Sequence, residues 1–193
     1  MKDYRYETES FLLRQVKRED APQLLRCYSD PAAVALMNDD NCIGGFLFKT
    51  LDEMEQAIHF WNNDVFQYAR PAVIDKGTGE TVGTLEVFGG ETGVLRVDLR
   101  ADYERPEVLR ELYALAAERF PGDFPMGAMV TKAVSEASAR RAVLAELGFS
   151  GPERFREYEG YYRLSFSRMK RELGLAYCGL ACCLCSENEG CKG

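Results

Sequence analysis

Residues 72–100 read AVIDKGTGETVGTLEVFGGETGVLRVDLR, and the fold turns on how this stretch divides. Ala72-Val73-Ile74 and Thr81-Val82-Gly83-Thr84-Leu85-Glu86-Val87-Phe88 are rich in β-branched and apolar residues, which suit a pleated surface. Between them, Asp75-Lys76-Gly77-Thr78-Gly79-Glu80 supplies the glycines that a tight hairpin needs for positive φ. A second turn, Gly89-Gly90-Glu91-Thr92-Gly93, leads into residues 94–100, where Leu95, Val97 and Leu99 alternate with Arg96 and Asp98. Three strands joined by two short turns predict an antiparallel meander with one buried face.

Upstream of the meander, residues 11–16 read as a short strand. Arg18-Glu19-Asp20-Ala21-Pro22 opens a helix carrying Leu24, Leu25 and Tyr28 at a 3.6-residue period. Pro22 is harmless there, because the first-turn N–H groups of a helix have no intrahelical partner. Thr50-Leu51-Asp52-Glu53 has capping-box spacing and starts a helix through Trp61, with Met54, Ile58 and Trp61 along one side. Downstream, Pro106 begins a helix to Phe120 with a stripe of Val108, Leu109, Leu112, Leu115 and Ala116. A Pro- and Gly-rich loop over 121–127 then precedes a strand at Ala128-Met129-Val130. Residues 135–147 predict another helix, stopped by Gly148, and residues 154–167 predict two strands around a turn at Glu159-Gly160. The expected fold class is α/β: a mixed, mostly antiparallel sheet flanked by helices.

The chain has 193 residues, with 24 basic and 31 acidic side chains and a formal charge of −7. That acidity leaves no electrostatic footprint for phosphate backbones or anionic lipid, so neither nucleic acid nor membrane is an expected partner. The longest uncharged, mostly apolar stretch, 173–185, falls short of the roughly 18–20 residues that a bilayer span requires. No apolar segment follows the charged N-terminus as a signal peptide would, which points to a cytoplasmic protein with reduced thiols. A chain this long can build a core without disulfides, so its seven cysteines call for another explanation.

Residues 10–165 resemble the GNAT acyltransferases, and within them the Rim-type N-acetyltransferases of protein N-termini and small amines. The motifs that carry the resemblance are Leu12-Leu13-Arg14 followed by Glu19-Asp20 and Tyr28-Ser29-Asp30-Pro31, then residues 73–84, then Val143-Leu144-Ala145-Glu146-Leu147-Gly148-Phe149. The resemblance implies a strand that splays from its neighbour to admit the pantetheine arm of acetyl-CoA. It also implies a glycine-rich loop whose N–H groups hold the pyrophosphate at a helix start. Val97 and Leu99 fall on the splayed strand, and Arg105 and Arg110 are the basic residues available to the phosphates. The implied acceptor is a primary amine, on a small molecule or a protein N-terminus; nothing in the sequence fixes an oligomeric state.

This chain departs from the family pattern within the loop itself. Aligned without gaps, Glu104 takes the Arg/Gln place, Glu107 the first glycine, Leu109 the last small residue, and Arg105 a further glycine of the Rim type. Two carboxylates beside a diphosphate would each cost on the order of 4 kcal/mol at 4 Å and an effective dielectric near 20, with Arg105 and Arg110 as the offsetting charges. Residues 131–141 contain no Asn where Rim-type enzymes hold pantetheine or substrate, and Leu144 takes the place of a Tyr general acid. The catalytic base is unassigned. Glu86 and Asp98 are carboxylates on neighbouring strands, but as alternates on half-buried strands they are expected to face solvent. His59, the single histidine, is expected on a helix surface, and Cys27 and Cys42 read as ordinary thiols.

Five cysteines lie between Cys178 and Cys191. Cys178, Cys182, Cys185 and Cys191 are spaced to converge on one ion, and soft thiolates at this density select Zn²⁺ or an iron–sulfur cluster. The spacing also matches radical SAM enzymes, but that reading is not expected to hold, because it needs a large barrel downstream of Cys185. Cys178-Gly179-Leu180 onward resembles the start of a small bacterial cysteine-rich family of unknown function, which continues to a later Cys-x-Gly-Cys. Residues 1–167 are thus expected to form the acyltransferase-like domain, and 168–193 a linker and the beginning of a second module, cut short in this chain. The competing reading of function is a catalytically inactive GNAT-like binding or scaffold domain joined to that metal-binding module.

Overall fold

In the computed structural model, residues 4–40, 42, 45–63 and 67–166 are described. Among the described residues, nine strands form one sheet: β1 (Arg5–Glu7), β2 (Phe11–Gln15), β3 (Gln67–Ala69), β4 (Pro71–Asp75), β5 (Thr81–Gly89), β6 (Thr92–Leu99), β7 (Ala128–Lys132), β8 (Ser150–Phe155) and β9 (Tyr158–Ser165). Eight of them follow the order β1-β2-β4-β5-β6-β7-β9-β8, and β3 pairs separately with β5. Every pairing is antiparallel except β6 with β7. That parallel neighbour requires a crossover, which is supplied by helix α4 (Pro106–Asp123).

The meander forms as expected. The first turn closes through Gly79 N–H to Asp75 O at 2.7 Å, while Asp75 Oδ1 accepts from the N–H groups of Gly77 and Thr78. Gly79 has φ +74°, the left-handed value that the turn demands. The expectation of a single buried face does not hold, because helices cover both sides. On one side lie α4 and α5 (Ser138–Glu146), whose Leu109, Leu112, Ala116, Phe120, Val143 and Leu144 pack on Leu85, Val87, Leu95, Val97 and Leu99. On the other lie α1 (Ala21–Tyr28), the one-turn α2 (Pro31–Val34) and α3 (Leu51–Asn63), with Leu24, Tyr28, Met54, Ile58 and Trp61 forming a second core. Each such aliphatic or aromatic side chain contributes about 1.5–3 kcal/mol on full burial.

Several boundaries shift, each for a local reason. Arg18–Asp20 is a 3-10 turn that precedes α1, held by Lys17 N–H donating to Asp20 Oδ2 at 2.8 Å. Helix α4 runs three residues past Phe120, with Pro121 in its last turn and Phe124 N–H closing on Phe120 O. Helix α5 begins at Ser138 rather than 135, because Ala137 sits at ψ 60° outside the helical region. Its stop is as read: Gly148 has φ +82°, with Gly148 N–H bonded to Ala145 O and Phe149 N–H to Leu144 O, a Schellman pattern. The last hairpin turns at Arg156-Glu157, with Arg156 at φ +56°, and carries Glu159 and Gly160 inside β9. Among the described residues, no helix is long and apolar enough to cross a membrane.

Candidate functional site

The sheet opens at its centre. Strands β6 and β7 pair only from Thr92 with Ala128 to Leu95 with Thr131, so residues 96–99 of β6 have no strand partner on that side. Val97 and Leu99, assigned from the resemblance to cofactor binding, lie on this unpaired segment. Each side of the opening is lined by a different set of charged residues.

On the side facing α1 and α3, the alternate residues of β5 and β6 are polar and buried. Glu86 is opposite Arg96 and Thr84 opposite Asp98. Glu86 is 4% exposed and Asp98 0%, which overturns the expectation that they face solvent. Charges hidden under two helices must be paired, and Glu86 is. Arg96 Nη1 donates to Glu86 Oε2 at 3.0 Å, and Arg70 forms a second ion pair with the same oxygen. The guanidinium of Arg70 lies 4.1 Å from the Trp61 ring centroid and that of Arg96 lies 4.6 Å from Phe88, so each gains a cation–π contact.

Asp98 is bonded differently. Tyr28 Oη donates to Asp98 Oδ2 at 2.8 Å, which leaves Thr84 Oγ1 to donate to the Tyr28 oxygen, also at 2.8 Å. Asp98 Oδ1 and Arg96 Nε have no hydrogen-bond partner among the described residues. Burial raises the Asp98 carboxyl above its usual range, against the opposing pull of Arg70, the Tyr28 hydrogen bond and Arg96. Burial and the neighbouring Asp98 also keep Tyr28 a neutral phenol. At the far end of the cluster, Asp40 accepts from Lys132 Nζ at 2.6 Å and from Tyr161 Oη at 3.0 Å, while Arg96 Nη2 donates to the Asp40 backbone carbonyl.

On the side facing α4 and α5, the opening is filled. Arg140, fully buried on α5, donates from Nη2 to Val97 O at 2.6 Å and forms an ion pair with Glu104. Burial alone would lower the Arg140 pKa, but the Tyr113 phenol and the Glu104 carboxylate outweigh it and hold the group charged. Removing either partner would strand a buried charge at a cost of roughly 3–5 kcal/mol. Glu104 therefore turns inward, away from the place where the sequence reading set it against a diphosphate.

The loop between β6 and α4 is also closed on itself. Residues Ala101–Tyr103 form a 3-10 turn, and the N–H groups of Tyr103, Glu104 and Arg105 bond to Arg100 O, Ala101 O and Tyr103 O respectively. Pro106 carries no N–H, so of the donors that would cradle phosphate, Glu107 and Val108 at the start of α4 are left over. Arg105 is exposed, 3.4 Å from Glu107, and Arg110 makes a two-pronged pair with Glu146 at 2.7 and 2.8 Å. Both of the expected phosphate-binding arginines are thus engaged with carboxylates. As arranged, the slot and the loop do not fit the pantetheine arm and pyrophosphate of acetyl-CoA.

The remaining expectations fall elsewhere. His59 is exposed on α3, in a surface groove with Arg18, Asp52, Glu55 and Gln56, and Cys27 and Cys42 are free thiols. Cys178, Cys182, Cys185 and Cys191 lie outside the described residues. Among the described residues, no group of three or more His, Cys, Asp or Glu is arranged to hold a metal ion.

The sequence reading missed Arg70, Tyr28 and the Arg140–Glu104 pair. One signal was available for the central charges: a turn centred on Glu91 places Glu86 across from Arg96, opposite charges on facing strands. No comparable signal links Arg140 to Glu104, since their meeting depends on how α5 packs.

No protein-family model matches this chain, and no curated protein matches it. Solved structures do. A GNAT-family acetyltransferase from Bacillus anthracis superposes with a TM-score of 0.68 at 15% identity, covering 85% of this chain and 99% of that one. A putative ribosomal-protein-serine acetyltransferase from Vibrio cholerae gives 0.65 at 15% identity, covering 84% and 98%. RimJ of Mycobacterium smegmatis, solved in complex with CoA-disulfide, gives 0.68 at 12% identity, covering 82% and 83%. At these identities the likeness is one of architecture: the chain has the fold of the GNAT acetyltransferases.

Proposed function

We propose that this protein is an N-acetyltransferase of the GNAT type, which takes its acyl group from acetyl-CoA and acts on a primary amine of a small molecule or a protein N-terminus. One observation carries the reading: β6 parts from β7 beyond Leu95 and Thr131, and the segment left without a strand partner on that side holds Asp98, a carboxylate with an oxygen that no other described residue satisfies. An ammonium acceptor must lose a proton before it can attack. A base suited to this work has its pKa moved toward the operating pH, the direction in which burial moves Asp98. Tyr28, fixed by Thr84, orients the carboxylate through Oδ2 and leaves Oδ1 to take the proton. Asp98 joins Val97, Leu99, Arg105 and Arg110 as the proposed site residues.

A second reading is supported by the filled slot. Arg140 on Val97 O, the self-bonded loop and the full enclosure of Asp98 are the features expected of a GNAT-like domain that has lost acetyl-CoA and serves as a binding or scaffold module for the cysteine-rich segment. Calorimetric titration of the whole chain with acetyl-CoA and with CoA separates the two. Micromolar binding is the expected result for the transferase, and no heat at millimolar ligand would sink it in favour of the scaffold.

A further inference from the structure

We infer that the Arg140–Glu104 ion pair is an internal occupant of the acetyl-CoA slot, an autoinhibitory contact that must separate before the pantetheine arm can bond to β6; this rests on the transferase reading above. Four features of the site converge on it. The β6–β7 pairing ends at Leu95 and Thr131, so the backbone of β6 beyond that point needs a partner from elsewhere. The partner is a side chain: Arg140 Nη2 sits 2.6 Å from Val97 O, on an acceptor that an extended ligand amide would otherwise use. The second half of the pair comes from the phosphate loop, because Glu104 follows the 3-10 turn Ala101–Tyr103 and swings its carboxylate into the interior. Finally, the turn is tightened by the bonds from Tyr103, Glu104 and Arg105 N–H to carbonyls within the same loop, so slot and cradle are shut by one connected set of contacts.

The pair is balanced, and this explains its persistence. Arg140 alone would leave a buried cation without a counter-charge bonded to it, and Glu104 alone a largely buried anion, so separating them is costly to either. Opening would also turn Glu104 outward toward a bound diphosphate, which it repels. A ligand that binds only the open form has its apparent dissociation constant multiplied by the reciprocal of the open fraction. Even a closed population of about nine in ten weakens binding tenfold.

The test is the double variant Arg140→Ser with Glu104→Gln, which removes both charges together and so strands neither. Affinity for CoA and for acetyl-CoA is measured by calorimetry on the full chain, with a thermal melt to establish folding. The expected result is a dissociation constant at least tenfold lower than that of the parent chain. If the parent already binds with the same affinity as the double variant, the inference is overturned and the transferase reading stands. If the folded double variant and the parent both fail to bind at millimolar CoA, the inference is overturned and the transferase reading falls with it. Should that double variant not fold, Arg140→Met with Glu104→Gln serves: it also strands no charge and keeps more of the buried volume, with the same gain in CoA affinity expected and an unchanged affinity overturning the inference.

Discussion

Asp98 is the residue on which the proposed chemistry and the cost of burial meet. Burial raises its carboxyl pKa, so ionising it costs more in the folded protein than in the unfolded chain. For a group raised in this way, the stabilisation is full below the unfolded value of 3.8 and is lost as pH rises through the folded value. Asp98→Asn, which is neutral throughout and still accepts from Tyr28, is therefore expected to gain stability relative to the parent as pH rises from 4 to 8. The change is read from urea melts at both ends of the range. A gap that is flat or narrows over that range would mean that Asp98 is held ionised by Arg70 and Arg96. The same variant is expected to abolish acetylation of any amine that the parent accepts. Glu86 illustrates the opposite outcome for a residue of similar charge on the adjacent strand. Two guanidiniums consume it, so it serves the packing of β5 and β6 rather than proton transfer.

At the scale of elements, the hairpin of β5 and β6 governs the site, because its register sets which side chains face α1 and which face α4. Gly83 is the most exacting position in it. A Cβ there would stand 2.0 Å from Asp98 O and 3.0 Å from Leu99 Cα, both backbone atoms of the partner strand. Gly83→Ala must push the strands apart beside Asp98, and is expected to cost at least about 2 kcal/mol, seen as a lower urea midpoint. An unchanged midpoint would show that the hairpin yields more easily than its pairing implies. This hairpin was legible because strand alternation and turn glycines are local signals. The ends of α4 and α5 were less so. Their limits depend on where individual residues such as Ala137 leave helical geometry, and composition does not mark such points. The burial of Glu86 and Asp98 was read wrongly from the same alternation. A polar alternate looks identical in sequence whether water or a buried counter-charge meets it.

At the scale of the whole molecule, residues 168–193 carry a proposal of their own. The proposal that Cys178, Cys182, Cys185 and Cys191 bind Zn²⁺ or an iron–sulfur cluster is checked by elemental analysis of the full chain purified without chelator. Close to one equivalent of zinc, or the iron of one cluster, is expected, and less than one-tenth of an equivalent would end it. The GNAT-like order of strands and helices, the turns at Gly79 and Gly148 and the acidic, thiol-rich composition were determined by the sequence alone, because each depends on neighbours a few residues apart. The tertiary structure alone decided the state of the central opening. It brought Arg140 and Glu104 together across 36 positions and folded Arg70 onto Trp61. It also enclosed Asp98 between Tyr28 and the sheet. The physical reason is that buried charges are set by partners in space, and those partners are chosen by how helices pack on a sheet rather than by the order of residues along the chain.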